Sequence, residues 1–199
     1  AFGGGEAVDG RVVKAVLMNA AAKPAGWDNG TSLTNGVLTT TQALDYQTGA
    51  GLLNLDKAFD QFLAGTGGLA GTEGGDVGMV GWDLGLVSDA DTLNEYRITD
   101  PLLAGGTFVA TLDWFVNRSL DGGVDPIDDV PNASDVQFDN LDLELWHLAY
   151  SGPDTLVASS ATLFGNVEHI FVQLPFDGDY ALRVVWNGEI YDVPGDTAN

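Results

Sequence analysis

Ser32, in the tripeptide Gly30-Thr31-Ser32, is the residue whose chemistry would matter most if it were activated. A serine hydroxyl becomes a nucleophile when a histidine takes its proton and a carboxylate orients that histidine. The chain carries two histidines, His147 and His169, and 29 Asp and Glu, so all three residue types are present. A second chemistry lies in Asp121-Gly122-Gly123-Val124-Asp125-Pro126-Ile127-Asp128-Asp129, which continues to Asp135, Asp139 and Asp142. Carboxylates and carbonyls in a turn can supply the roughly six to eight oxygens that calcium takes. The spacing is not that of an EF-hand; Asp128, Asp129, Asp139 and Asp142 are the ligands expected if calcium binds, and a solvated acidic loop is the alternative. A third chemistry belongs to Trp146, on the Asp142/Glu144 side of its segment, where an outward ring can stack on a glycan or pack against a neighbouring domain.

Composition sets the frame for these sites. A chain of 199 residues, 45% of them hydrophobic, holds one large domain or a small piece plus one domain of ordinary size. No apolar run approaches the roughly 18 residues of a membrane span. Seven Lys and Arg against the 29 acids give a net charge of −22. Such a surface repels phosphate backbones and anionic lipid, so nucleic acid and membrane are not the expected partners. Most acids are Asp set among Gly, Pro and Asn, which suits turns, calcium ligands or solvation better than helical charge pairing. There is no cysteine, hence no disulfide and no thiol chemistry. The expectation is a secreted bacterial protein.

Two regions of different period must position the candidate residues. In residues 1–65, Val12, Val13, Val16 and Leu17 recur at helical spacing after Asp9, in a helix expected to run to Ala22 before Pro24. A second helix is expected after Asn54, a suitable N-cap, with Leu55, Phe59, Phe62 and Leu63 on one face. Two short helices bury little, so this segment should dock on something else. Residues 66–75 are glycine-rich and read as a linker; their G-x-G-x-x-A lacks the strand and helix that dinucleotide binding needs. From residue 76 the period becomes two. Strands are expected at 107–114, 141–145, 170–174 and 180–186, with weaker ones at 78–86, 94–98 and 156–160. The fold class expected is mainly β: an antiparallel β-sandwich or jelly roll over 76–194, preceded by a short two-helix segment and followed by a tail at 195–199.

Val13-Lys14-Ala15-Val16-Leu17-Met18-Asn19-Ala20-Ala21 resembles the helix that follows the nucleophile helix in subtilisin-like serine proteases. Gly49-Ala50-Gly51-Leu52-Leu53-Asn54-Leu55-Asp56-Lys57-Ala58 is similar to the "GxGxxNxxxA" near the end of their catalytic domain. Asp142-Leu143-Glu144-Leu145, Asn166-Val167-Glu168-His169-Ile170-Phe171 and Gly178-Asp179-Tyr180-Ala181-Leu182-Arg183-Val184 resemble the jelly-roll domain that many bacterial subtilases carry at the C-terminus. The order of the segments agrees, and the resemblance covers most of residues 11–187.

This resemblance implies a C-terminal portion of a secreted serine endopeptidase, partnered by the protease domain upstream in the same polypeptide. It also removes Ser32 from the chemistry. The family's nucleophile motif, Gly-Thr-Ser-x-Ala-x-Pro, precedes the "VKAVLMNAA" helix, whereas Ser32 follows it and lacks the Ala and Pro. His147 and His169 lie in the β region and read as structural. No catalytic residue and no cofactor other than calcium is expected. The alternatives are a β-sandwich binding module for a glycan or cell-surface ligand, or a scaffold from a degenerate subtilase.

Overall fold

A computed structural model of the chain describes residues 5–67, 69, 72–124 and 131–192. Helix α1 (Gly10–Asn19) starts where Asp9 accepts the Arg11 amide at 2.9 Å and the Arg11 guanidinium closes back on the same carboxylate. It stops three residues short of Ala22. There the backbone turns into an antiparallel bridge, Ala22 and Leu52 exchanging two hydrogen bonds of 2.8 Å. Helix α2 (Leu55–Ala64) begins at Asn54, whose side chain accepts the Lys57 amide at 3.1 Å.

Between the helices lies a hairpin of β1 (Ser32–Thr34) and β2 (Val37–Thr40). Its two-residue turn is Asn35-Gly36, both at positive φ (53° and 86°), the backbone that a type I′ turn demands. The strands are three and four residues long, too short for alternation to show in the sequence. The remaining strands are β3 (Gly74–Val77), β4 (Leu93–Ile98), β5 (Thr107–Asp113), β6 (Asn117–Val124), β7 (Pro131–His147), β8 (Thr155–Ser160), β9 (Val167–Gln173) and β10 (Tyr180–Asp192).

The molecule is mainly β. Eight strands form one sheet in the order β1-β2-β8-β7-β10-β4-β3, with β6 also on β7, and β5 and β9 form a second, two-stranded layer. The centre of the large sheet is antiparallel; both flanks join in parallel, β2 on β8 and β3 on β4. The expected strand at 78–86 is absent. Trp82 and Leu84 turn instead onto the helices, and the pairing falls at Gly74–Val77, at the end of the glycine-rich stretch. Gly74 permits this: a Cβ there would stand 2.4 Å from the Glu95 carbonyl oxygen.

Leu143, Leu145, Tyr180 and Val184 of the large sheet meet Ala110, Ile170 and Val172 of the small one in the main core. Each such apolar side chain contributes about 1.5–3 kcal/mol by leaving water. A second core joins Val12 and Val16 of α1 and its C-cap Ala20 to Ala58 of α2, with Phe62 and Trp82 at its edge. The N-terminal segment docks on the sandwich. Its hairpin lengthens the sheet, and α1 runs beside β5, where Lys14 meets Asp113 at 2.6 Å and Thr111 donates to Asn19 Oδ1 at 3.1 Å.

Candidate functional site

Ser32 opens the exposed strand β1. The residues around it are tied down for packing. Trp27 donates its indole N–H to Gly49 O at 2.8 Å and sets its ring edge-on against Phe171 and His169. Asn29, almost fully buried, donates to the carbonyls of Ala43 and His169. The segment spelling the tempting tripeptide is thus a clamp on β9.

Both histidines are packed against neighbouring side chains. His147 packs its ring on Tyr180 and Phe176, with Nε2 3.2 Å from the Asp177 carbonyl oxygen. His169 is completely buried, and its Nδ1 lies 2.8 Å from Thr111 Oγ1. That hydroxyl gives its proton to Asn19, so Nδ1 is the protonated nitrogen. Nε2 is left without a hydrogen-bond partner. Burial holds the imidazole neutral and lowers its pKa to about 3, with the Lys23 ammonium adding to the effect. Lys23 itself is pushed down to about 8 by burial; its ammonium lies over the Trp27 ring and donates to Ala50 O at 2.6 Å. Next in sequence, Glu168 is fully buried and accepts from Ser160 Oγ, Thr162 N and Thr162 Oγ1 at 2.5–2.7 Å. This trio closes the turn between β8 and β9.

Of the expected calcium ligands, Asp128 and Asp129 lie outside the described residues. Asp139 and Asp142 have separate partners. The Asp139 carboxylate accepts from Trp186 Nε1 at 3.0 Å, and its carbonyl accepts from Trp114 Nε1 at 3.2 Å. Asp142 is hydrogen-bonded by Asn187 and feels the Glu144 charge; burial, the larger effect, raises its pKa. Among the described residues, no three His, Asp or Glu side chains converge in a way that could hold a metal ion.

Trp146 stands on the outer face as expected, but it is half-buried. The Arg183 guanidinium lies 4.5 Å from its ring centroid, and its N–H donates to Glu144 at 2.7 Å. Arg183 is fixed in turn by Glu95 at 2.7 Å and Asp154 at 3.3 Å. One ring face is occupied by a cation, which leaves less of the platform that sugar stacking uses.

The larger feature is an apolar stripe on α2. Its expected face splits: Phe62 turns to α1 together with Ala58, which was not part of that face, while Leu55, Phe59 and Leu63 remain more than half exposed. Leu52 and Leu53 precede them, equally exposed. Residues at i, i+4 and i+8 form one continuous strip along a helix. Contiguous exposed apolar side chains of this kind are what an interaction surface presents.

Sequence reasoning missed Asp83, Asn94, Thr111 and Asp113 as interior polar groups. In β5, Phe108, Ala110 and Leu112 alternate toward the core, which assigns Thr111 and Asp113 to solvent; α1 covers that side. Where α1 docks decides Thr111 and Asp113, and where the segment at 72–86 folds back decides Asn94. Compared with family models and with curated proteins, the chain finds no match. Among the described residues, no helix is long and apolar enough to cross a membrane.

Proposed function

We propose that this chain is the non-catalytic C-terminal region of a secreted subtilisin-like serine endopeptidase. Residues 1–65 finish the protease domain, and the β-sandwich braces that domain and guides substrate or surface contact. The parental chemistry, acyl transfer to a serine, belongs to residues upstream of this segment. One observation carries the reading: Leu55, Phe59 and Leu63 form a bare apolar strip on a helix whose opposite edge is packed on α1. A helix that ends a larger domain is expected to show such a strip when the rest of that domain is not beside it. The order of the motifs on α1 and α2 supports the same reading.

Hydrogen exchange of α2 tests it, measured in this chain and in the same chain joined to its upstream protease domain. Exchange in the α2 amides should slow in the joined protein, and Phe59→Glu should lower its Tm. Equal exchange in both would end the proposal. So would peptidase turnover by this chain alone that Ser32→Ala abolishes.

A further inference from the structure

Two adjoining cavities lie where α1 meets the sandwich. The larger, about 270 Å³, is walled mainly by apolar side chains such as Val16, Phe108, Leu143 and Leu182. The smaller, about 120 Å³, is lined by Asp83, Asn94 and Asp113. Val12, Ala15, Asp83, Tyr96 and Leu112 are among the residues that wall both.

Two buried acceptors on residues that line the smaller cavity lack donors. Asn94 is 2% exposed and spends both amide hydrogens on carbonyls, Thr72 O at 2.8 Å and Leu86 O at 3.1 Å. Two carbonyl partners fix which end of the amide is oxygen, and that Oδ1 has no hydrogen-bond partner. The Asp113 side chain is 1% exposed; Lys14 takes Oδ1, and Oδ2 is bare. Asp83 receives the Tyr96 hydroxyl at 2.9 Å and the Leu84 amide, and it has no ion pair among the described residues. The cations nearby are committed, Arg11 to Asp9 and Lys14 to Asp113. Burial raises the pKa of both Asp83 and Asp113, and the hydrogen bonds and charges that reach each carboxyl offset only part of that effect. Buried acceptors without donors are unfavourable, and a bound donor would relieve them.

An ammonium group carries three N–H donors and no acceptor, which matches this wall. The neighbouring cavity offers it a hydrocarbon environment. We infer that the two cavities form one binding site for a small primary alkylammonium compound, its –NH₃⁺ held by Asn94 Oδ1, Asp113 Oδ2 and Asp83 and its alkyl chain in the apolar cavity. The net charge of −22 draws such a cation toward the molecule. Gly85 is exposed at the edge of the smaller cavity, and a Cβ there would come within 2.7 Å of Asn94 Nδ2. Glycine at this position keeps the edge clear. The inference rests on the cavities alone and is independent of the protease reading.

Titration calorimetry with n-hexylammonium, n-hexanol, ammonium and calcium chlorides or solutions tests it. Hexylammonium should bind about tenfold or more tighter than hexanol, which lacks the charge-assisted hydrogen bonds, and than ammonium, which lacks the alkyl chain to bury. Asp83→Asn should weaken hexylammonium by about tenfold while leaving hexanol within about twofold. Asn94 also braces two carbonyls, so a second measurement uses the unaltered protein. Nuclear Overhauser contacts from the hexyl chain should reach the Val12 and Val184 methyls. Equal affinity for hexanol, stabilisation by calcium without amine binding, no saturable binding, or contacts elsewhere would each overturn the inference.

Discussion

Glu168 and His169 are neighbours whose burial pulls stability in opposite directions with pH. Burial raises Glu168 from 4.5 to about 7, against the pull of its hydrogen bonds from Ser160 and Thr162. The folded chain then keeps a proton that the unfolded chain gives up. This contribution is complete below pH 4.5 and is lost as pH rises through 7. His169 falls from 6.5 to about 3, so the unfolded chain holds the extra proton. Its contribution is complete above pH 6.5 and is lost as pH falls toward 3. Between pH 4.5 and 6.5 the two slopes oppose each other, and the urea midpoint should change little with pH. Glu168→Gln should expose a rise of roughly 1–3 kcal/mol with pH across that window, and His169→Asn a fall of similar size. Flat profiles for both variants would refute the assignment. Neither residue was legible as a buried titrating group. The sequence places both in the β region just ahead of the strand expected at 170–174, and only the covering by the segment at 27–29 and the turn at 160–162 shuts water out.

At the scale of elements, α2 separates packing from exposure along one apolar arc. In the isolated chain, Phe59→Glu should change stability by no more than about 0.5 kcal/mol, because the side chain touches little. Phe62→Ala, on the packed edge, should cost roughly 2–3 kcal/mol. Chemical denaturation of the two variants settles the contrast. Gly51 sits at φ 114°, and a Cβ there would be 2.5 Å from the Ala22 carbonyl oxygen, so Gly51→Ala should destabilise by at least about 1 kcal/mol. Element types were largely legible: α1, α2, β4, β5, β8, β9 and β10 fall where periodicity and capping residues place them. The hairpin β1–β2 and strand β6 were not. The first is too short to alternate, and Asn117–Val124 mixes Arg, Ser, Asp and Gly without an apolar period. The apolar arc of α2 was legible too, but which part meets α1 depends on the docking angle, which no local pattern carries.

For the whole molecule, the segment at 1–65 and the sandwich share a sheet and a second core, so they should unfold together. Calorimetry should give one cooperative transition, and a chain beginning at residue 66 should lose it and bind a hydrophobic dye. Two separate transitions in the intact chain would show that the docking is weak. With a net charge of −22, self-repulsion is large, so raising sodium chloride from 10 to about 200 mM should increase Tm by a few degrees as screening sets in. The same connectivity constrains how the chain is made. β2 is completed by β8, Leu38 against Ala158 and Thr40 against Ser160, in a parallel pairing that no tight turn can close. During synthesis the hairpin leaves the ribosome long before its partner exists, and the free edge of β2 stays unpaired until Ser160 emerges. Contacts so distant in sequence slow folding and lengthen the interval in which a bare edge can find the wrong strand. Ribosome-bound chains halted before residue 155 should therefore be the ones that chaperones hold longest.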